Sequence, residues 1–252
     1  MSMSLKGHEL GAQLEARGPA LKKDWLLKKQ GAGEVLESLA EDAASLGAKP
    51  VAKLAENLSH PVAAYALALL LEGAPGEAPE SKEVEKLRVK KGQLITGDLH
   101  VKGTLAVESN LVVVGNLEAG RITVGEGGSL AVGGNLKARA LDGDGWILVR
   151  GDVDADLVCG YYEAGEFGVA GTLRSRLAVF SNHGAAVAKN EAQHFFDLWD
   201  PSPKSKKYQE LLKLVSPKAV LPEDEDADMG VLQVDFRPLL KLAEAGKPFL
   251  RE

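Results

Sequence analysis

Four groups of residues in this chain have the types and spacing to do chemistry. Asp142 with Asp144, and the alternating Asp152, Asp154 and Asp156, are paired carboxylates of the kind used for acid–base work or glycoside hydrolysis. His183 and His194 could begin a metal site, but such a site needs a third ligand, and the chain has no H-x-x-x-H or C-x-x-C. Cys159 is a lone thiol without an identifiable base, and reads as a small buried hydrophobe. "GEGGSLAVGG", Gly125 to Gly134, has the glycine density of a phosphate loop. Phosphate loops lead into a helix whose amides hold the anion, and here a strand follows. In "GDVDADL" the acids more simply alternate outward while Val153, Ala155 and Leu157 point inward. The expectation is a non-enzyme with no catalytic, metal or cofactor residues.

Binding is better served. Aromatics are scarce, at 5%, yet "VCGYYEAGEFGV" and "LAVFSNHGAAV" gather Tyr161, Tyr162, Phe180, Asn182 and His183 in two neighbouring segments. Tyr is a favoured interface anchor. A second candidate surface is the acidic run of Glu223, Asp224, Glu225, Asp226 and Asp228, which suits a cationic partner. These ten residues are the expected partner-binding set. The net charge of −6 argues against broad nucleic-acid binding, and "KKDWLLKK" and "KSKK" lack interleaved aromatics.

The elements that must position these residues announce themselves by repetition. "ITGDL", "VVGNL", "VGGNL", "VRGDV" and "VAGTL" place glycines at 97, 115, 134, 151 and 171, separated by 18, 19, 17 and 20 residues. Each row holds about three short β-prone bursts split by Gly, Asn and Asp, and no helical period runs from Leu94 to Val187. Three strands and three turns in about 18 residues make one coil of a parallel β-solenoid. Glycine suits a sharp corner, and the following Asp or Asn can bond neighbouring backbone. Propeller blades need about 40 residues each, and rows of 17 to 20 break a strict hexapeptide register. The predicted fold is mainly β with helical ends: a parallel, right-handed solenoid of about five coils.

Three regions follow: an N-terminal helical region over 1–88, the solenoid over 89–188, and a C-terminal helical cap with the acidic loop over 189–252. Apolar spacing in "GAKPVAKLAENLSHPVAAYALALLLEG" predicts two short helices broken at Ser59-His60-Pro61. The run from Pro61 to Pro75 is too short to span a bilayer and reads as a buried helix. "NEAQHFFDLWD", "KKYQELLKLVSPKAVL" and "VDFRPLLKLAEAGKPFL" read as further amphipathic helices. Exposed coil ends need covering, and both helical regions are expected to supply it. The lone cysteine and the absence of a signal-like N-terminus point to the cytoplasm, with no membrane contact.

The rows "GDLHVKGTLAV", "VVVGNLEAGRITV" and "AVGGNLKARAL" resemble bactofilins, bacterial polymer-forming β-helix proteins. They also resemble a looser bacterial group with the same repeat and a longer helical tail, and the tail "LLKLVSPKAVLPEDEDADMGVLQVDFRPLLKLAEAGKPFL" makes the chain more like that group, whose function is largely unassigned. That resemblance implies the solenoid and, for bactofilins, self-association into structural polymers. Bactofilins have short tails that leave coil ends free; here about 90 residues precede the solenoid and about 65 follow it. If those segments cover the coil ends, polymerisation is blocked. By analogy with immunity proteins, which often sit on repeat or β-rich scaffolds, the expected function is a protein-binding solenoid that neutralises a bacterial toxin or effector by direct binding. The alternative is a bactofilin-like structural polymer.

Overall fold

Glycine followed by Asp or Asn is the unit from which the fold is built, and the computed structural model shows why. It describes residues 5–73, 79–162, 165–198, 205–220 and 234–251. In successive rows an Asp or Asn side chain, or Ser81 in the first turn, accepts a hydrogen bond from the backbone one coil further on. The Asp98 amide donates to the Ser81 hydroxyl (3.0 Å) and the Asn116 amide to Asp98 Oδ1 (2.7 Å). The Asn135 amide donates to Asn116 Oδ1, the Asp152 amide to Asn135 Oδ1 (both 2.9 Å), and the Thr172 amide to Asp152 Oδ1 (2.8 Å). The preceding glycine lets the coils approach. A Cβ at Gly134 would lie 2.6 Å from Asn116 Oδ1 and 2.8 Å from the Gly115 carbonyl oxygen. Positive φ is not the reason for these glycines; none of the repeat glycines is among the positive-φ residues. Replacing Asn135 with Ala removes one rung and should cost about 1 kcal/mol. Asn135→Asp, which keeps the acceptor, should cost less; equal urea midpoints for wild type and Asn135→Ala would refute the ladder's role.

The described residues hold thirteen strands in one parallel sheet. They are β1 (Lys82–Val84), β2 (Leu87–Val89), β3 (Gln93–Ile95), β4 (Leu99–Val107), β5 (Asn110–Val113), β6 (Leu117–Val124) and β7 (Ser129–Val132). β8 (Leu136–Gly143), β9 (Trp146–Val149), β10 (Val153–Tyr161), β11 (Glu166–Ser181), β12 (Gly184–Asn190) and β13 (Phe195–Leu198) complete it. Leu99 lies beside Leu117, Leu117 beside Leu136, Leu136 beside Val153 and Val153 beside Leu173, so successive coils stack in register. This is a parallel β-solenoid of about six turns, one more than the repeat signature alone predicts. The extra turn comes from the chain before Leu94. There "KEVEKLRV" alternates charges with Val84, Leu87 and Val89, and the dense charge conceals the strands. Phe195–Leu198, expected on a helix, is a strand: Phe195 packs on the solenoid interior while Phe196 and Leu198 face the opposite side.

Two faces of the solenoid are apolar on the outside as well as the inside. Along β5, β7 and β9, Leu111, Val113, Leu130, Val132, Ile147 and Val149 fill the interior. The residues between them, Val112, Ala131 and Leu148, point out into a helical layer. That layer comprises α1 (Gly7–Leu21), α2 (Trp25–Lys29), α3 (Ala32–Leu46), a 3-10 turn (Val51–Glu56) and α4 (Pro61–Leu71). Pro61 starts α4, His60 Nδ1 accepts the Val62 amide (3.1 Å), and every residue from Val62 to Leu71 is buried. A helix apolar all round must be enclosed, and α4 lies between its own layer and β5, β7 and β9. Among the described residues no helix is long and apolar enough to cross a membrane.

The second apolar face is made where the long strands bend. Up to Asp156 the alternation is as expected, with Val153 and Ala155 inward. Leu157, expected inward, instead points out with Ala140, Leu177, Cys159 and Val179. They pack against α5 (Lys206–Leu214), a 3-10 turn (Pro217–Ala219) and α6 (Phe236–Glu244). α4 and α6 thus clad the sides of the solenoid rather than its coil ends, because apolar outward columns lie on the sides. α2 and α5 reach the final turn through β12 and β13. The remaining face is polar. There Glu83, His100, Glu118, Lys137, Asp154 and Arg174 stack in register, largely alternating in sign.

Candidate functional site

Four stacked strands end at one place, beside the first turn of α6. Thr123 lies beside Asp142 and Asp142 beside Cys159, while Tyr161 lies beside Ser181. Asp142, 2% exposed, is the one carboxylate in this apolar column, and four hydrogen bonds hold it. Oδ1 accepts from Arg121 Nε (3.1 Å) and Thr123 Oγ1 (3.2 Å). Oδ2 accepts from Arg121 Nη2 (3.2 Å) and the Tyr161 hydroxyl (3.1 Å). Burial works against the Arg121 charge, but the hydrogen bond and charge of Asp142 outweigh it and leave the guanidinium above its ordinary pKa. Burial, with Asp142 beside it, pushes the Tyr161 phenol well above its usual value, so it remains a donor. Of the paired carboxylates, Asp142 is thus an ion-pair partner; burial raises the Asp144 pKa from its ordinary value.

α6 forms the opposite wall. Asp235 caps it, accepting from the Arg237 amide (3.0 Å) and pairing with Arg237 Nε (2.8 Å) and Nη2 (2.9 Å). Between the walls lies a cleft of about 440 Å³, lined by Arg121, Asp142, Tyr161 and Ser181 on one side and Phe236, Arg237 and Leu240 on the other. Its lip is made by Tyr162 and Asn182, the corner residues after β10 and β11. Both have positive φ, 70° and 48°, and they are the non-glycine residues among those described that do. Asn tolerates this region; for Tyr it is strained. Tyr162 is 67% exposed, the large hydrophobic side chain among the described residues that stands out in water.

The expected partner-binding set therefore divides. Tyr161, Tyr162 and Asn182 meet at the cleft. Phe180 does not: it is fully buried in the solenoid core, packed against Phe167 and Phe195, with no surface for a partner. His183 is also buried, stacked on Phe180, and its Nδ1 donates to the Tyr162 carbonyl (3.0 Å), a carbonyl being only an acceptor. It supports the lip from beneath. Glu223, Asp224, Glu225, Asp226 and Asp228 lie outside the described residues. Arg121, Ser181, Phe236, Arg237 and Leu240 went unnoticed in the sequence. A visible signal existed for the ion pair alone: with rows aligned in strand register, Asp142 interrupts a column of Ala106, Thr123, Cys159 and Val179.

Burial lowers the His183 pKa, and hydrogen bonds to the Tyr162 and Tyr161 backbone offset only part of this. Its neutral form is favoured in the fold relative to the unfolded chain, where the value is about 6.5. The stability this provides is complete above about pH 6.5 and drains away as pH falls toward the lower folded value. The melting temperature of wild type should therefore fall more between pH 7.5 and pH 5 than that of His183→Gln. Parallel pH profiles would rule out this titration.

No protein-family model, curated protein or solved structure matches this chain, so fold and cleft carry the functional argument. Together they define a β-solenoid with a lateral cleft, a form compatible with a binding or structural role.

Proposed function

We propose that this chain is a non-catalytic β-solenoid that binds another protein, and that it acts as an immunity-type protein masking a toxin or effector. The observation that carries the reading is Tyr162, 67% exposed and strained at the lip of the cleft. A bulky aromatic held in left-handed backbone costs about 1–3 kcal/mol, which folding alone gives no reason to keep. Exposed Tyr beside a pocket, rimmed by the Asp235–Arg237 pair, has the makeup of an interface anchor. The acidic run Glu223 to Asp228 adds charge suited to a cationic partner surface. In the test, purified candidate toxins are titrated with the chain while their activity is followed. Stoichiometric inhibition, weakened at least tenfold by Tyr162→Ala at unchanged melting temperature, supports the reading. Inhibition indifferent to Tyr162→Ala removes the cleft from it, and no inhibition of any candidate removes the immunity role.

A second reading, a bactofilin-like structural polymer, draws on the first turn. Val84, Leu87 and Ile95 are only partly buried there, on the coil face from which further stacking would start. Light scattering over a concentration series separates the two. A fixed small mass favours the binder; open-ended growth into filaments favours the polymer.

A further inference from the structure

The polar groups of the cleft are used unevenly. Its acceptors are spent: Asp142 takes four hydrogen bonds from Arg121, Thr123 and Tyr161, and Asp235 takes three from Arg237. Two donors are not. Arg121 commits Nε and Nη2 to Asp142, and its Nη1 makes no hydrogen bond among the described residues. Ser181 is 7% exposed and lines the same cleft, and its hydroxyl has no partner among the described residues. Both donors open into the cleft, where a ligand acceptor could take the place of water on each. The walls around them, Tyr161, Phe236 and Leu240, are apolar and suit a hydrophobic body.

We infer that the cleft binds a monocarboxylate carried on an apolar or aromatic body, with the carboxylate on Arg121 Nη1 and Ser181 Oγ and the body between Tyr161 and the Phe236–Leu240 face of α6. A carboxylate offers charge-assisted acceptors to a guanidinium edge. An ammonium would meet the like charge of Arg121, with both cleft carboxylates already engaged. The single free guanidinium edge, already half neutralised by Asp142, favours one negative charge over two. A volume of about 440 Å³ is in the range of small-ligand sites, roughly 300–1,000 Å³. The assignment rests on the reading of this cleft as a binding site, and names what enters it.

The probe is 4-phenylbutyrate, titrated into the ¹⁵N-labelled full chain and followed by amide shifts and calorimetry. The expected result is saturable binding that moves the Tyr162, Ser181 and Asn182 amides. The neutral 4-phenylbutanamide should bind at least tenfold more weakly, and 4-phenylbutylamine should not bind there. Ser181→Ala should weaken the carboxylate several-fold. The double variant Arg121→Met/Asp142→Leu removes the ion pair without stranding either charge, and should abolish binding while the chain still melts cooperatively. Equal binding of the amide, tighter binding of the amine, indifference to Ser181→Ala, or no shift at these amides would each overturn the inference. Because the probe is tested without a protein partner, its failure leaves the Tyr162→Ala inhibition result to decide the partner reading separately.

Discussion

Val113→Asp should abolish cooperative melting. Val113 is fully buried on β5, stacked between Ile95 and Val132 of the adjoining coils, in the solenoid interior. Its stacked neighbours and the cluster around it are hydrocarbon, so they offer a carboxylate no donor, and the Val114 and Gly133 amides are already spent between coils. Losing the valine forfeits about 1.5–3 kcal/mol of apolar burial. An unpaired buried charge, or the shift in pKa needed to neutralise it, adds several kcal/mol more. Set against about 5–15 kcal/mol for a whole domain, the sum leaves little native state. Circular dichroism during heating reads this directly. Glu118→Lys, on the polar face, should stay within about 0.5 kcal/mol of wild type. A cooperative Val113→Asp melt near the wild-type temperature would mean that β5 does not lie between coils as described.

Arg121→Met should destabilise the chain by about 3 kcal/mol, the lower end of the range for breaking a buried ion pair. The Asp142 side chain is 3% exposed, and without the guanidinium it keeps only the hydroxyls of Thr123 and Tyr161. Arg121 itself is 21% exposed, which tempers the loss. Adding Asp142→Leu should recover most of it, because leucine continues the apolar outward surface of Ala140, Leu157 and Leu177 beneath α6. Urea unfolding of wild type, single and double variants gives the coupling. If the double variant is less stable than the single, the carboxylate contributes packing or bonding beyond the pair.

Much of the architecture could be read from residue spacing because its causes are local. Glycine ahead of Asp or Asn recurs near 18 residues since each coil must bring its backbone against the last and hand on one hydrogen bond. Consecutive apolar runs such as Leu111-Val112-Val113 are also local signals. They belong to strands covered on both faces; the second cover, α4, is expected from the sequence as a buried helix, but its place against these strands rather than over a coil end is not. The first turn escaped because Lys, Glu and Arg crowd its outward positions and mask the alternation beneath.

The cleft depended on distances that spacing does not encode. Tyr161 and Tyr162 are neighbours in sequence, but one turns in to bond Asp142 while the other turns out at a left-handed corner. Phe180 looked like their companion and belongs to the core, since strand alternation decides which aromatic faces inward. The opposite wall, Phe236 to Leu240, comes from a helix far along the chain. α6 docks there because Ala140, Leu157 and Leu177 form an apolar column that only coil stacking assembles. From the sequence alone came the solenoid, its repeat and the cluster of aromatics near its end. Tertiary structure decided which of those side chains meet solvent and what stands across from them, because a column of side chains exists only once the coils have stacked.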